Sequence, residues 1–96
     1  MYVLVTYDVS TEDKAGAGRL RRVAKICTRY GQRVQFSVFE CLVDPAQYES
    51  MKHELRSVID EESDSLRFYN LGKRWQGRVD HIGAKAPYNP EGTLLV

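Results

Sequence analysis

The first eight residues, MYVLVTYD, constrain the fold of this chain more than any other stretch. In an extended backbone Val3 and Val5 project to one side, and both are apolar. Tyr2 and Leu4 project to the other side and are largely apolar as well. A strand with two apolar faces lies in the middle of a sheet rather than at its edge. The sequence therefore predicts a central strand that ends on Asp8, at the rim of the sheet.

Hydrophobic spacing predicts a helix over residues 14–30, where Leu20 and Val23 begin one apolar stripe. Gly16 and Gly18 disfavour helix in its first turns, so we expect the regular helix to begin only near Arg19. A second helix is expected from Pro45, with Asp44 as its cap and Pro45 at the first helical position. The acidic run that follows it, 60–64, is expected to form a solvated loop, because acidic residues are unfavourable at the C-terminus of a helix.

Runs of β-branched and aromatic residues predict the remaining strands. They are 32–35, 37–43 and 65–71, with a short strand at 78–82. The order of elements predicts an α+β fold of the ferredoxin-like βαββαβ type with an extra C-terminal strand. We expect one domain over residues 1–86 and a C-terminal tail over 87–96.

Two helices cover only one face of a four-stranded sheet, yet the first and fourth strands carry apolar residues on both faces. Exposed apolar patches of this kind mark interfaces. The pattern therefore predicts a homodimer, formed by two sheets about a twofold axis, with the strand at 78–82 free to cross to the partner.

Composition indicates a cytoplasmic protein that makes no membrane contact. No apolar run approaches the roughly 20 residues that span a bilayer, and the apolar start lacks a basic leader.

Cys27 and Cys41 fall at core positions of a helix and a strand, so we interpret them as buried and unpaired. The net charge of +1 conceals a segment, 14–33, with seven basic residues and no acid.

Asp8 has two interpretations. An aspartate after a strand commonly starts a turn. A carboxylate is also a ligand for Mg²⁺, which proteins hold through one or two carboxylates and several waters. A twofold dimer that brings together Asp8 of both chains would supply two carboxylates.

The basic segment also has two interpretations, a solvated helix face or a surface beside Asp8 that binds the phosphates of a nucleic acid. The residues predicted to contact phosphate are Arg19, Arg21, Arg22, Lys25 and Arg33. Tyr7 and Phe39 either pack in the core or support the site.

Five stretches, TYDV, RLRRVAK, YGQRVQFSVFEC, DEE and HIGAK, together resemble the CRISPR-associated protein two family. The resemblance implies a ferredoxin-like homodimer with endonuclease activity on RNA or DNA that depends on Mg²⁺ or another divalent cation such as Mn²⁺. It also implies a place beside the adaptation integrase in capturing new spacers for antiviral defence. The family's metal-binding aspartate corresponds to Asp8 and its tyrosine to Tyr7, while its other motif residues correspond to Arg22, Arg33 and Phe39.

The sequence leaves two functions open. One is a Mg²⁺-dependent endonuclease with Asp8 as the catalytic metal ligand, and the other is a dimeric DNA-binding scaffold for the integrase without catalysis. Phosphate contacts do not distinguish RNA from DNA, so the substrate also stays open. A small regulatory domain without nucleic acid would explain the fold but not the basic segment.

Overall fold

The computed structural model describes residues 1–12, 14–74 and 77–83. The elements in chain order are β1 (Tyr2–Asp8), α1 (Lys14–Tyr30), β2 (Gly31–Gln35), β3 (Val38–Leu42), α2 (Pro45–Val58) and β4 (Ser65–Gly72). The strands form one antiparallel sheet in the order β2-β3-β1-β4. This is the predicted ferredoxin-like βαββαβ arrangement. The predicted tail, 87–96, lies outside the described residues.

The central position of β1 is confirmed. It pairs with β3 on one side and with β4 on the other, and its last residue, Asp8, lies opposite Ser65 of β4. Val3 and Val5 pack into a core that both helices cover, α1 through Val23 and α2 through Leu55. Side chains alternate along a strand, so Asp8 projects to the side of the sheet away from the helices.

We call that uncovered side of the sheet the open face. Two of its apolar side chains are substantially exposed, Leu42 by 40% and Tyr69 by 43%. Tyr2 also belongs to this face, where it is buried and its hydroxyl donates a hydrogen bond to the carboxylate of Glu40. The predicted apolar surface on this side of the sheet is therefore present.

Helix α1 begins at Lys14, so the prediction that regular helix starts only near Arg19 is wrong. The reason is that Gly16 packs against the chain that leaves β1. A Cβ atom at Gly16 would lie 1.9 Å from the carbonyl oxygen of Ser10. The glycine costs the helix about 1 kcal/mol in propensity, but it allows this close approach.

The N-terminus of α2 is capped as predicted. The Asp44 carboxylate accepts a hydrogen bond from the Gln47 backbone N–H over 2.7 Å, and the Gln47 side chain accepts one from the Asp44 N–H over 2.9 Å. This reciprocal capping box, with Pro45 following the cap, fixes where α2 starts.

The predicted short strand at 78–82 is not formed in the single chain. These residues are irregular, and Ile82 is 97% exposed. A strand needs a hydrogen-bonding neighbour, and within the described part of the chain the sheet contains only the four strands given above. In the same part of the chain, neither helix has the length and apolar character needed to cross a bilayer.

Candidate active site and nucleic-acid interface

Asp8 is the exposed last residue of the central strand. It lines a cleft of about 320 Å³ on the open face, together with Thr6, Tyr7, Ser65 and Arg67. The register between β1 and β4 sets Asp8 opposite Ser65 and Thr6 opposite Arg67. The carboxylate therefore lies beside two hydroxyl side chains and one guanidinium group.

A buried carboxylate holds the segment that follows Asp8. Asp64, whose side chain has no exposed surface, accepts hydrogen bonds from the Ser10 N–H over 3.0 Å and the Asp60 N–H over 2.9 Å. Arg19 donates to the same carboxylate over 2.8 Å through Nε. Burial alone would raise the pKa of Asp64, but the hydrogen bonds from Arg19 and from the two backbone N–H groups outweigh it and lower the pKa.

The sequence predicted that the acidic run 60–64 forms a solvated loop, and for Asp64 that prediction is wrong. The four residues before it are exposed, whereas Asp64 is buried just ahead of β4. Local composition does not separate Asp64 from its acidic neighbours. The one available signal was its place directly before the strand predicted at 65–71.

Helix α1 lies on the other side of the sheet from the Asp8 side chain. The predicted arrangement, a basic helix face directly beside the carboxylate, is therefore not found within one chain. Arg21, Arg22 and Lys25 are exposed on α1, and within the described residues none of them forms an ion pair. Arg19 differs, because it is engaged with Asp64.

Arg33, Tyr7 and Phe39 come together near the β2–β3 hairpin. The Arg33 guanidinium lies 5.2 Å from the centre of the Phe39 ring and donates to the Tyr7 hydroxyl over 3.5 Å. The Tyr7 and Phe39 rings stack with centres 6.1 Å apart. Because the side chains of Tyr7 and Asp8 project to opposite sides of the sheet, this cluster packs behind the strand that carries Asp8 and supports it. Of the three residues, Tyr7 also contributes to the lining of the cleft.

The residues around Asp8 suit a divalent cation only in part. Mg²⁺ prefers oxygen ligands, and the cleft offers the Asp8 carboxylate with the hydroxyl groups of Thr6 and Ser65. Across residues 1–12, 14–74 and 77–83, however, no group of three or more His, Cys, Asp or Glu side chains is gathered for metal binding. The oxygen atoms of one chain therefore make up only part of the ligand set expected for such a cation, and Asp8 of a second copy would add a further carboxylate.

A larger cleft of about 760 Å³ lies between α2 and β4. Two of its basic side chains are paired with acids, Lys52 with Glu49 over 3.0 Å and Arg56 with Glu61 over 3.3 Å. These pairs neutralise two of the three Lys and Arg side chains that line it. The third, Arg67, also lines the Asp8 cleft.

Comparison with known proteins gives consistent matches. The family model described as CRISPR associated protein Cas2 matches residues 1–79. The chain is 59% identical over 96 residues to the CRISPR-associated endoribonuclease Cas2 of Nitratidesulfovibrio vulgaris, covering all of this chain and 94% of that protein.

Two solved structures are similar as well. The crystal structure of Streptococcus pyogenes Cas2 at pH 6.5 has a TM-score of 0.76 at 63% identity, covering 86% of this chain and all of that one. A chain from a partial Cas6-RT-Cas1–Cas2 complex has a TM-score of 0.59 at 26% identity, covering 97% of this chain and 98% of that one.

Proposed function

This chain belongs to the CRISPR-associated Cas2 family, and on that premise we propose that it is a metal-dependent endonuclease of the CRISPR adaptation machinery. The observation that carries the proposal is the exposed Asp8 carboxylate, held at the end of the central strand in an oxygen-lined cleft. The related protein named as an endoribonuclease supports phosphodiester cleavage as the reaction.

In the proposed enzyme two copies associate through their open faces, because Leu42 and Tyr69 expose apolar surface there. Asp8 of each copy then contributes one carboxylate to a shared cation, Mg²⁺ or Mn²⁺. A bound cation of this type supplies Lewis-acid chemistry, which polarises a phosphodiester oxygen and lowers the pKa of a water molecule. The hydrogen bonds that Asp64 accepts from Ser10 and Arg19 hold the segment after Asp8, which keeps the carboxylate in place.

The test is Asp8→Asn, assayed on RNA and on duplex DNA of matched sequence across a titration of Mg²⁺ and Mn²⁺. The proposal expects cleavage to be lost while the mass in solution stays that of a dimer. Glu12→Gln is the matched control, because Glu12 is an exposed carboxylate outside the cleft. Cleavage by Asp8→Asn at the wild-type rate would remove Asp8 from the mechanism, and a monomeric wild-type protein would remove the shared site.

A second candidate function, a DNA-binding scaffold for the adaptation integrase, rests on a different surface. Arg21, Arg22 and Lys25 are exposed on α1, away from the cleft and without ion pairs among the described residues. Arginine and lysine in this setting contact phosphates irrespective of sequence. The similar chain from a complex that contains Cas1 favours an integrase as the protein partner.

The scaffold predicts that Arg22→Glu with Lys25→Glu weakens duplex DNA binding and reduces its salt dependence. Arg56→Glu is the control, because it makes the same kind of charge change on α2 at an exposed residue. The scaffold also predicts that Asp8→Asn still supports spacer acquisition. Unchanged DNA binding by the variant with both charge reversals would mean that DNA binds to a surface other than α1.

A further inference from the structure

We propose that Arg67 is a phosphate-binding residue of the Asp8 cleft, and that it orients the phosphodiester against the carboxylate. The inference rests on the proposed function. The sequence placed the cationic groups beside Asp8 on α1, whereas the inference places one on β4. It identifies the ligand of the cleft as a nucleic-acid phosphate.

The strand register places Arg67 beside Asp8. Thr6 pairs with Arg67 and Asp8 pairs with Ser65, so these four side chains occupy two adjacent cross-strand pairs on the same face. Side chains in diagonal positions of neighbouring antiparallel strands are about 7–8 Å apart at their bases, which is within reach of a long side chain. The arginine and the carboxylate line the same cleft of about 320 Å³.

The Arg67 guanidinium keeps most of its hydrogen-bonding capacity. It donates from Nη1 to the Tyr69 hydroxyl over 3.2 Å, which uses one of its N–H groups and anchors it on the open face. In the part of the chain that the structure describes, Arg67 forms no ion pair, either with Asp8 or with another acid. Arg19, Arg29 and Arg56, in contrast, are each paired with a carboxylate.

The chemistry of the cleft favours such a group. A carboxylate repels the negative charge of a phosphodiester, so a cation on the substrate side favours binding. The planar guanidinium fork matches two phosphate oxygens at once, which lysine does not do. Ser65 adds a hydroxyl donor opposite Asp8.

The test measures binding and cleavage of a single-stranded RNA oligonucleotide by Arg67→Gln and Arg67→Lys. We expect Arg67→Gln to weaken binding about tenfold, which appears in KM more than in kcat and corresponds to about 1.4 kcal/mol. The slope of log binding constant against log salt should fall by about one unit, the signature of one lost phosphate contact. Arg67→Lys should restore the salt slope and only part of the affinity, because it keeps the charge without the fork.

Arg56→Gln is the matched control, an exposed arginine on α2 that is expected to leave KM and the salt slope unchanged. Binding measured without a divalent cation separates this inference from the proposed function. Loss of cleavage in Asp8→Asn concerns the carboxylate, whereas the difference in metal-free salt slope between wild type and Arg67→Gln concerns the arginine. An unchanged KM and salt slope in Arg67→Gln would overturn the inference. So would a monomeric Arg67→Gln protein, because the arginine would then act in subunit association.

Discussion

Arg19 donates a hydrogen bond from Nε to the Asp64 carboxylate over 2.8 Å, and the Asp64 side chain is completely shielded from solvent. The pair joins α1 to the turn before β4. The same carboxylate accepts the backbone N–H of Ser10, two residues beyond Asp8. Three segments that are distant in sequence therefore meet at one buried charge beside the candidate site.

Replacing Asp64 by asparagine should lower the free energy of unfolding by about 1.5–3 kcal/mol, the range for hydrogen bonds to charged groups. The amide cannot balance the Arg19 guanidinium, which is only 14% exposed. Urea unfolding followed by circular dichroism measures the change. Glu62→Gln is the control, because Glu62 is an exposed acid in the same turn. Equal midpoints for the two variants would contradict a stabilising role for the pair.

The stability of the protein should decline in acid, with Asp64 as one cause. Its folded-state pKa is lowered, because the hydrogen bonds from Arg19 and the backbone outweigh the opposing effect of burial. A lowered pKa stabilises the fold fully above the ordinary carboxyl value of about 4, and this contribution is lost as the pH falls through the folded-state value. Urea midpoints measured from about pH 7 down to about pH 2.5 should therefore fall less in Asp64→Asn than in wild type. Parallel curves would exclude Asp64 as a cause.

Alanine at Gly16 and alanine at Gly18 should have opposite effects on stability. A Cβ at Gly16 would meet the Ser10 carbonyl oxygen at 1.9 Å, so Gly16→Ala must displace the segment that follows Asp8, at a cost of about 1–3 kcal/mol. A Cβ at Gly18 would meet nothing closer than the flexible Arg22 side chain at 3.4 Å. Gly18→Ala should instead stabilise α1 by up to about 1 kcal/mol. Thermal unfolding of both variants makes the comparison, and a stabilised Gly16→Ala protein would show that the close contact is not maintained in solution.

Both cysteines should be inert to thiol reagents while the protein is folded. Burial raises the pKa of Cys27 and of Cys41 to about 12, and the thiolate is the reactive form. A chromogenic disulfide reagent at about pH 8 should therefore detect almost no thiol among these two until denaturant is added. Rapid modification of the native protein would mean that the core opens at this site more readily than its burial indicates.

Sequence reasoning predicted the features that depend on near neighbours in the chain. The apolar pattern of β1 gave its central position, and the Asp44-Pro45 dipeptide gave the start of α2. It missed Asp64 because the groups that satisfy this carboxylate include Arg19, 45 residues away, and Ser10, 54 residues away. The start of α1 was misjudged for a related reason, since the contact that explains Gly16 comes from tertiary packing rather than helix propensity.

The sequence identified Asp8 as the candidate site residue, but it did not identify the side chains of β4 that lie beside it. Asp8 lies at the rim of the sheet as expected, and its predicted role in metal binding stays a proposal. Periodicity alone could not assign the basic helix to a side of the sheet. An amphipathic pattern identifies which side of a helix is buried, but it does not identify the strand residues against which that side packs. Arg67 was not predicted as a site residue, since only the β1–β4 register reveals that it shares a cleft with Asp8.

The central strand sends Tyr7 toward the helices and Asp8 toward the open face, while β3 and β4 hold it from both sides. A one-residue insertion or deletion inside β1 would therefore move each later side chain of the strand to the opposite face of the sheet. The carboxylate would enter the core and the tyrosine would take its place in the cleft. Insertion or deletion of one residue in this strand should accordingly abolish both folding and activity.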